Sequence, residues 1–341
     1  MHLTHEAASL RPHLKVVLAQ FTAAAMSVRQ IGRITCAVVY LIFGLKSTAL
    51  SFNFVPIDVP GATETRAHGI NENGQVVGSF LETANRLDSR GFLYDNGQFT
   101  TINVPGATTT FGLGINDRSQ IVGQFIRPTS GPPVGFPEIN GYLFDKGTFA
   151  TISEPRGQDA GPILHGINNK GQIVGEIDTG FGFLREKNGQ ITMIGDVQSR
   201  ITRAFDINNR GQIVGTSQNH GFLLDKNGSL ATIEIPGARR TDALGINDLG
   251  QIVGSFLDAN NQEHGFLSQN GNFTTVDVPG ATFTTVTGIN NHGWFVGFFR
   301  DATGIHGFID PPAEVPEPTS LLLFGAGLIG LMAWRQGMAR W

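Results

Sequence analysis

The sequence predicts an all-β protein, a six-bladed β-propeller of four-stranded blades, and three observations carry that prediction. A phrase of the form Gly-Ile-Asn-x-x-Gly-Gln-Ile-Val-Gly recurs six times, starting at Gly69, Gly114, Gly166, Asp206, Gly245 and Gly288, at spacings of 45, 52, 40, 39 and 43 residues. Periods of this size belong to repeat architectures such as propellers. Glycine supplies 45 of the 341 residues, about twice the usual share, which favours many turns over long helices. Finally, the intervening segments alternate as short β-rich runs cut by Asn-Gly punctuation, as in RGFLYD and QFTTINV around Asp95-Asn96-Gly97.

The first element lies outside the repeats. Ile34 to Leu45 is a 12-residue apolar run, preceded by Arg29 and Arg33 and followed by the small residues Ser47 to Ser51. That is the layout of a secretory signal and too short for an ordinary spanning helix. Cleavage is expected after Ala49 or after Ser51. Residues 1–25 are long for an n-region, whereas Met26 opens a well-proportioned signal and is read as the start. The only cysteine, Cys36, falls in this run, so the repeats contain no disulfide, cysteine metal site or thiol nucleophile.

Residues 52–310 form the repeat domain. Each unit carries an inner strand ending at Gly-Ile-Asn, a second at Gln-Ile-Val-Gly, a third at Gly-Phe-Leu (Gly91, Gly141, Gly182, Gly221, Gly265, Gly307) and an outer one at Thr-Thr-Ile-x-Val-Pro-Gly-Ala. The outer phrase or a degraded form of it occupies Ile57–Ala62, Thr101–Ala107, Thr151–Gly157, Thr192–Asp196, Thr232–Ala238 and Thr275–Ala281. The domain begins with a lone outer strand, Asn53–Pro60, and ends with a lone third strand, His306–Asp310. Pairing these two completes a sixth blade and hides both edges. An open solenoid or a paired sandwich is the competing architecture.

Residues 311–320 form a Pro-rich linker and 321–341 a helix with a basic tail. Pro316-Glu317-Pro318 precedes 14 apolar residues, Leu321 to Trp334, and then Arg335 and Arg340. Fourteen residues rise about 21 Å against a hydrocarbon core of roughly 30 Å, so this span needs its flanks and suits a transient membrane anchor. The segment resembles the PEP-CTERM sorting signal of exported Gram-negative bacterial proteins. The resemblance implies an exosortase-type processing partner acting near Pro316-Glu317-Pro318, with release or attachment at the cell surface. The repeats, from about 54 to 310, resemble the HAF family of extracellular repeat proteins through His-Gly-Phe at His220, His264 and His306 joined to the Gly-Ile-Asn phrase. This chain departs from His-Ala-Phe in its middle residue, and Arg90 and Asn140 replace the histidine in the first two units. The family resemblance implies export and surface location rather than a reaction.

Candidate chemistry is sparse. The six asparagines Asn71, Asn116, Asn168, Asn208, Asn247 and Asn290 open turns, with Gly three residues later in five copies, and are read as bonding their own backbone. His68, His165, His220, His264 and His306 are read as structural rather than metal ligands, and no cofactor is expected. Asp58, Glu154, Glu234 and Asp277 fall on the outer strand, as a solvated rim. Residues 52–310 carry 17 Lys+Arg against 25 Asp+Glu, a balance that disfavours nucleic acid. No Ser-His-Asp, phosphate-loop or dinucleotide motif occurs.

Function is therefore sought where symmetry breaks, in the long connections Arg127–Asn140 and Pro155–Leu164. The expected ligand face comprises Arg127, Phe136, Glu138, Arg156 and Asp159, on a non-enzymatic binding or structural module with extracellular polysaccharide as a candidate partner. The alternative is a propeller enzyme acting on such a polysaccharide with Glu82, Asp88, Glu138 or Asp159 as acids.

Overall fold

The computed structural model describes residues 52–83, 88–128, 138–153, 161–177, 180–195 and 202–311. The expected signal region, the Pro-Glu-Pro linker and the C-terminal helix lie outside these residues. Among the described residues every regular element is a strand, and no helix is long and apolar enough to cross a membrane.

The chain opens with β1 (Val55–Ile57). Unit one is β2 (Glu64–Ile70), β3 (Val76–Leu81), β4 (Arg90–Asp95) and β5 (Gln98–Ile102); unit two is β6 (Thr109–Ile115), β7 (Ile121–Arg127), β8 (Glu138–Asp145) and β9 (Thr148–Ile152). Unit three is β10 (Ile163–Ile167), β11 (Ile173–Glu176), β12 (Gly182–Arg185) and β13 (Ile191–Ile194); unit four is β14 (Thr202–Ile207), β15 (Ile213–Ser217), β16 (His220–Leu224) and β17 (Leu230–Ile233). Unit five is β18 (Arg240–Ile246), β19 (Ile252–Leu257), β20 (Glu263–Gln269) and β21 (Asn272–Val276); unit six is β22 (Phe283–Ile289), β23 (Phe295–Arg300) and β24 (Ile305–Asp310). Within each unit consecutive strands pair antiparallel, giving the four-stranded sheets of a propeller-type all-β fold. β1 lies antiparallel to β24, with Val55 opposite Ile309 and Ile57 opposite Gly307.

The hydrophobic cores sit between neighbouring sheets, not within one. Val77 of unit one packs with Ile115, Ile121 and Phe125 of unit two, and Val214 of unit four with Ile246, Ile252 and Phe266 of unit five. A corresponding cluster joins Ala67, Val76 and Phe92 of unit one to Val296 and Ile309 of unit six. A sheet removed from its neighbours would expose both apolar faces, which is why such units are stable only as an array.

The asparagine turns do more than shape themselves. Each Oδ1 accepts the backbone N–H groups two and four residues on, at 2.9 to 3.1 Å. Each Nδ2 donates to the carbonyl of the equivalent asparagine in the next unit: Asn71 to Asn116, Asn116 to Asn168, Asn168 to Asn208, Asn208 to Asn247, Asn247 to Asn290, and Asn290 back to Asn71. A second cycle lies beside it. The N–H of the following residue (Glu72, Asp117, Asn169, Asn209, Asp248, Asn291) donates in each case to the side-chain oxygen of its counterpart in the next unit, and Asn291 donates to Glu72. In unit two, Ser119 stands where the others have glycine, at φ 56°, and its hydroxyl donates to Gln75 Oε1 at 2.7 Å.

The glycine of Ile-Val-Gly is fixed by close approach. A Cβ at Gly78, Gly123, Gly175, Gly215, Gly254 or Gly297 would lie between 1.8 and 2.1 Å from the carbonyl oxygen of the strand alongside. The aromatic ring of Gly-Phe-Leu covers the same glycine from the other side: Phe92 over Gly78, Phe222 over Gly215, Phe308 over Gly297. Gly215→Ala is accordingly expected to cost about 3 kcal/mol, the scale of overpacking in a filled core. Gly228→Ala, at an exposed turn with φ 86° and open space around it, should cost about 1 kcal/mol. Urea denaturation of the two variants checks the ratio, and equal losses would contradict it.

Candidate functional site

Every inner strand carries a β-bulge at one place. The register skips a residue between Ala67 and Gly69, Gly112 and Gly114, Leu164 and Gly166, Ala204 and Asp206, Ala243 and Gly245, and Val286 and Gly288. The skipped residues are His68, Leu113, His165, Phe205, Leu244 and Thr287. A bulge re-aims the side chain it releases. All six line one small void of about 50 Å³ where the inner strands converge. The following position is glycine in five of the six units, while this one reads His, Leu, His, Phe, Leu, Thr.

A cavity of about 380 Å³ adjoins that void on the side from which the long connections emerge. Its walls come from the starts of β2, β6 and β10 and the ends of β3 and β7: Arg66, His68 and Ser79 of unit one, Phe111, Leu113 and Gln124 of unit two, Ile163 and His165 of unit three. On the opposite side of the void lies a smaller opening of about 70 Å³, ringed by the asparagine turns and by Glu72, Asp117 and Asp248. The convergent strand ends therefore present two unlike mouths, one repetitive and polar, the other mixed and asymmetric.

His68 Nε2 lies 3.1 Å from Ser79 Oγ. Part of the ring faces the cavity, yet it sits deep among protein atoms. That burial, reinforced by the charges of Arg66 and His165, brings its pKa down to about 3 and keeps it neutral. His165, the equivalent residue of unit three, lies 3.5 Å from Glu176, which also pairs with Arg203 at 2.9 Å. Burial pushes Glu176 upward, but the hydrogen bond from His165 and the charges of His165 and Arg203 outweigh it, leaving the carboxyl below its ordinary range. Arg66 pairs with Glu64 at 3.1 Å and lies 5.0 Å over the Phe298 ring.

The histidines of His-Gly-Phe lie on the blade rim and meet the outer-strand acids. His264 Nδ1 is 2.8 Å from Asp277, His306 Nδ1 is 2.9 Å from Asp58, and His220 is 3.7 Å from Glu234. Phe256 stacks on His264 and Phe299 tilts against His306. The rim acids Asp58, Glu234 and Asp277 are thus cross-strand partners rather than merely solvated charges. Among the described residues no three His, Cys, Asp or Glu converge in a metal-binding group.

Of the expected ligand face, Arg127 and Glu138 stand opposite each other where β7 and β8 leave the sheet. Arg127 donates to the Pro105 carbonyl and lies 4.6 Å over Phe125, while Glu138 accepts a bond from Asn140. Phe136, Arg156 and Asp159 lie outside the described residues, as do Pro316, Glu317, Pro318, Arg335 and Arg340. Of the acids considered for polysaccharide cleavage, Glu82 is paired with Arg90 at 3.1 Å. The cavity at the strand ends was not singled out from sequence. The residue ahead of each Gly-Ile-Asn varies from unit to unit, but so do the two before it, and strand alternation alone does not aim it inward.

Comparison with known proteins bears chiefly on the C-terminus. Residues 314–337 match the PEP-CTERM protein-sorting motif. The motif indicates an exported protein processed by an exosortase-type enzyme and associated with the surface of a Gram-negative bacterium. No curated protein matches the chain. Similar solved structures include a mutant of AofleA from Arthrobotrys oligospora (10% identity, TM-score 0.45, 76% of this chain and 86% of that one). YCF48 bound to D1 peptide is 11% identical with a TM-score of 0.43, covering 79% of this chain and 97% of that one. An acylaminoacyl peptidase complex is 10% identical with a TM-score of 0.44, over 78% of this chain and 46% of the other.

Asp206 is the one departure from glycine in the layer beneath the bulges. Its oxygens accept the N–H groups of Ile207 at 2.8 Å and Ile246 at 2.9 Å, tying unit four to unit five. Burial raises its pKa from 3.8 to about 6, against the effect of those two bonds and with a smaller push from Asp248. Folding then favours the protonated form, so the stabilising contribution is present below about pH 4 and is lost as pH rises through about 6. Relative to Asp206→Gly, the wild type should gain up to about 3 kcal/mol on going from pH 7 to pH 4. Denaturation of both proteins across that range checks this, and a constant difference would contradict it.

Proposed function

We propose that the chain is a closed six-bladed propeller with HAF-type repeats, exported and delivered to an exosortase, that serves as a non-enzymatic binding module at the cell surface or in the extracellular matrix. Closure is supported by the pairing of β1 with β24 and by two hydrogen-bond cycles that return to their first member. The binding reading rests on one contrast. The asparagine-turn side repeats itself from unit to unit, whereas the opposite side gathers unlike residues around a cavity and carries the longest connections. Binding sites favour variable loops on a rigid scaffold. Arg127 and Glu138 stand at the strand ends on that side, and extracellular polysaccharide is the partner class we assign to it.

A non-enzymatic role is favoured by how the polar groups of the cavity are used. His68 is neutral and held by Ser79, and Arg66 is paired with Glu64. Neither is poised as a proton donor near neutral pH. Replacing Pro316, Glu317 and Pro318 together by alanine should leave translocation intact and block C-terminal processing in a host that has the sorting enzyme. Intact mass and surface labelling of the product provide the readout; an unchanged mature mass would contradict the sorting role.

A further inference from the structure

The geometry points to the 380 Å³ cavity at the strand ends as a site for one uncharged pyranose residue, an inference that rests on the binding-module reading and gives it a ligand class. The volume falls at the small end of the range for ligand pockets, so the occupant is a single ring rather than a chain. Phe111 and Gln124 are direct cross-strand partners on β6 and β7, so their side chains share a face. The Gln124 carboxamide makes no hydrogen bond to any described residue, although its counterparts Ser79 and Glu176 both do. It therefore brings a free donor and a free acceptor beside a phenyl ring. A sugar needs this combination, since its C–H face packs on an aromatic and its hydroxyls both give and accept hydrogen bonds.

The remaining walls agree with that class. Leu113 and Ile163 extend the apolar surface, and Ser79 with the neutral His68 adds polar groups that carry no charge. The charged groups nearby are already matched, Arg66 by Glu64 and Glu176 by Arg203, so the site offers no surplus charge to an ionic ligand. A net-negative domain further disfavours acidic sugars.

The test is saturation-transfer NMR and titration calorimetry on the full chain with four neutral probes, the methyl α-pyranosides of glucose, galactose, mannose and fucose. Methyl glucuronide and adenosine serve as anionic and planar controls. At least one neutral glycoside should bind in preference to both controls. Gln124→Ala and Leu113→Trp, the latter filling the cavity, should each weaken that binding by about tenfold or more while thermal melting confirms the fold. Gln124→Ala, at a partly exposed position, keeps the test decisive if Leu113→Trp fails to fold. Absence of binding by all four glycosides, preference for either control, or undiminished affinity in the variants would overturn the assignment. Polysaccharide binding that survives both substitutions but disappears when Arg127–Asn140 is shortened would overturn the cavity site and leave the binding-module reading standing.

Discussion

Each of the six turn asparagines uses both ends of one carboxamide. The oxygen closes its own turn by accepting two backbone N–H groups, and the nitrogen reaches the main chain of the next unit. All six are buried, with no more than 4% of their surface exposed. A buried amide with a missing partner costs far more than a satisfied one returns, so each turn is correct only when its neighbour is in place. Turn formation and docking between sheets thereby become one event. Repeat arrays ordinarily need capping units with a polar outer face; in the closed ring we propose, the bond from Asn290 to the Asn71 carbonyl would leave no terminal member to cap.

Once the turns pin the strand ends, the rest of the inner layer follows. The Gly-Ile-Asn glycines let inner strands approach so closely that a Cβ at Gly114 would meet the His165 carbonyl at 2.5 Å. One residue earlier the bulge breaks the register and frees a side chain from pairing. That position lines the central void and differs in side-chain size and polarity from unit to unit. Diversity accumulates there and in the connections above it, while the turn side stays uniform. A rigid, repetitive half thus supports a variable one, with His68, Phe111 and Gln124 held on strands rather than on loops.

Much of this was legible in the sequence. The four-strand order, the Asn-x-x-Gly turns and the unpaired outer and third strands at the two ends followed from phrase spacing and β-alternation, because turn chemistry and period act locally. The second role of the asparagines did not. Donation from Asn71 to Asn116 spans 45 residues, and no local rule reports such a contact. Bulges were equally silent, since a skipped residue such as His165 leaves the apolar pattern around it intact. Pairing of the rim acids with the histidines was half visible: Asp277 and His264 stand in recurrent places, but only the register Gly265 opposite Val276 sets them side by side.

The central claim is that the carboxamide links form a cycle and not a row, and one comparison tests it directly. Asn168→Asp and Asn290→Asp each keep the turn-closing oxygen and remove the donor to the next unit, the first in mid-array and the second across the junction of last and first units. In a cycle both variants lose stability in equilibrium denaturation, about 2 kcal/mol for Asn290→Asp, the scale of an unsatisfied buried polar group, and somewhat more for Asn168→Asp, which also gives up its donation to Gln172 Oε1. A loss confined to Asn168→Asp, with Asn290→Asp matching the wild type, would contradict the cycle and describe an open array.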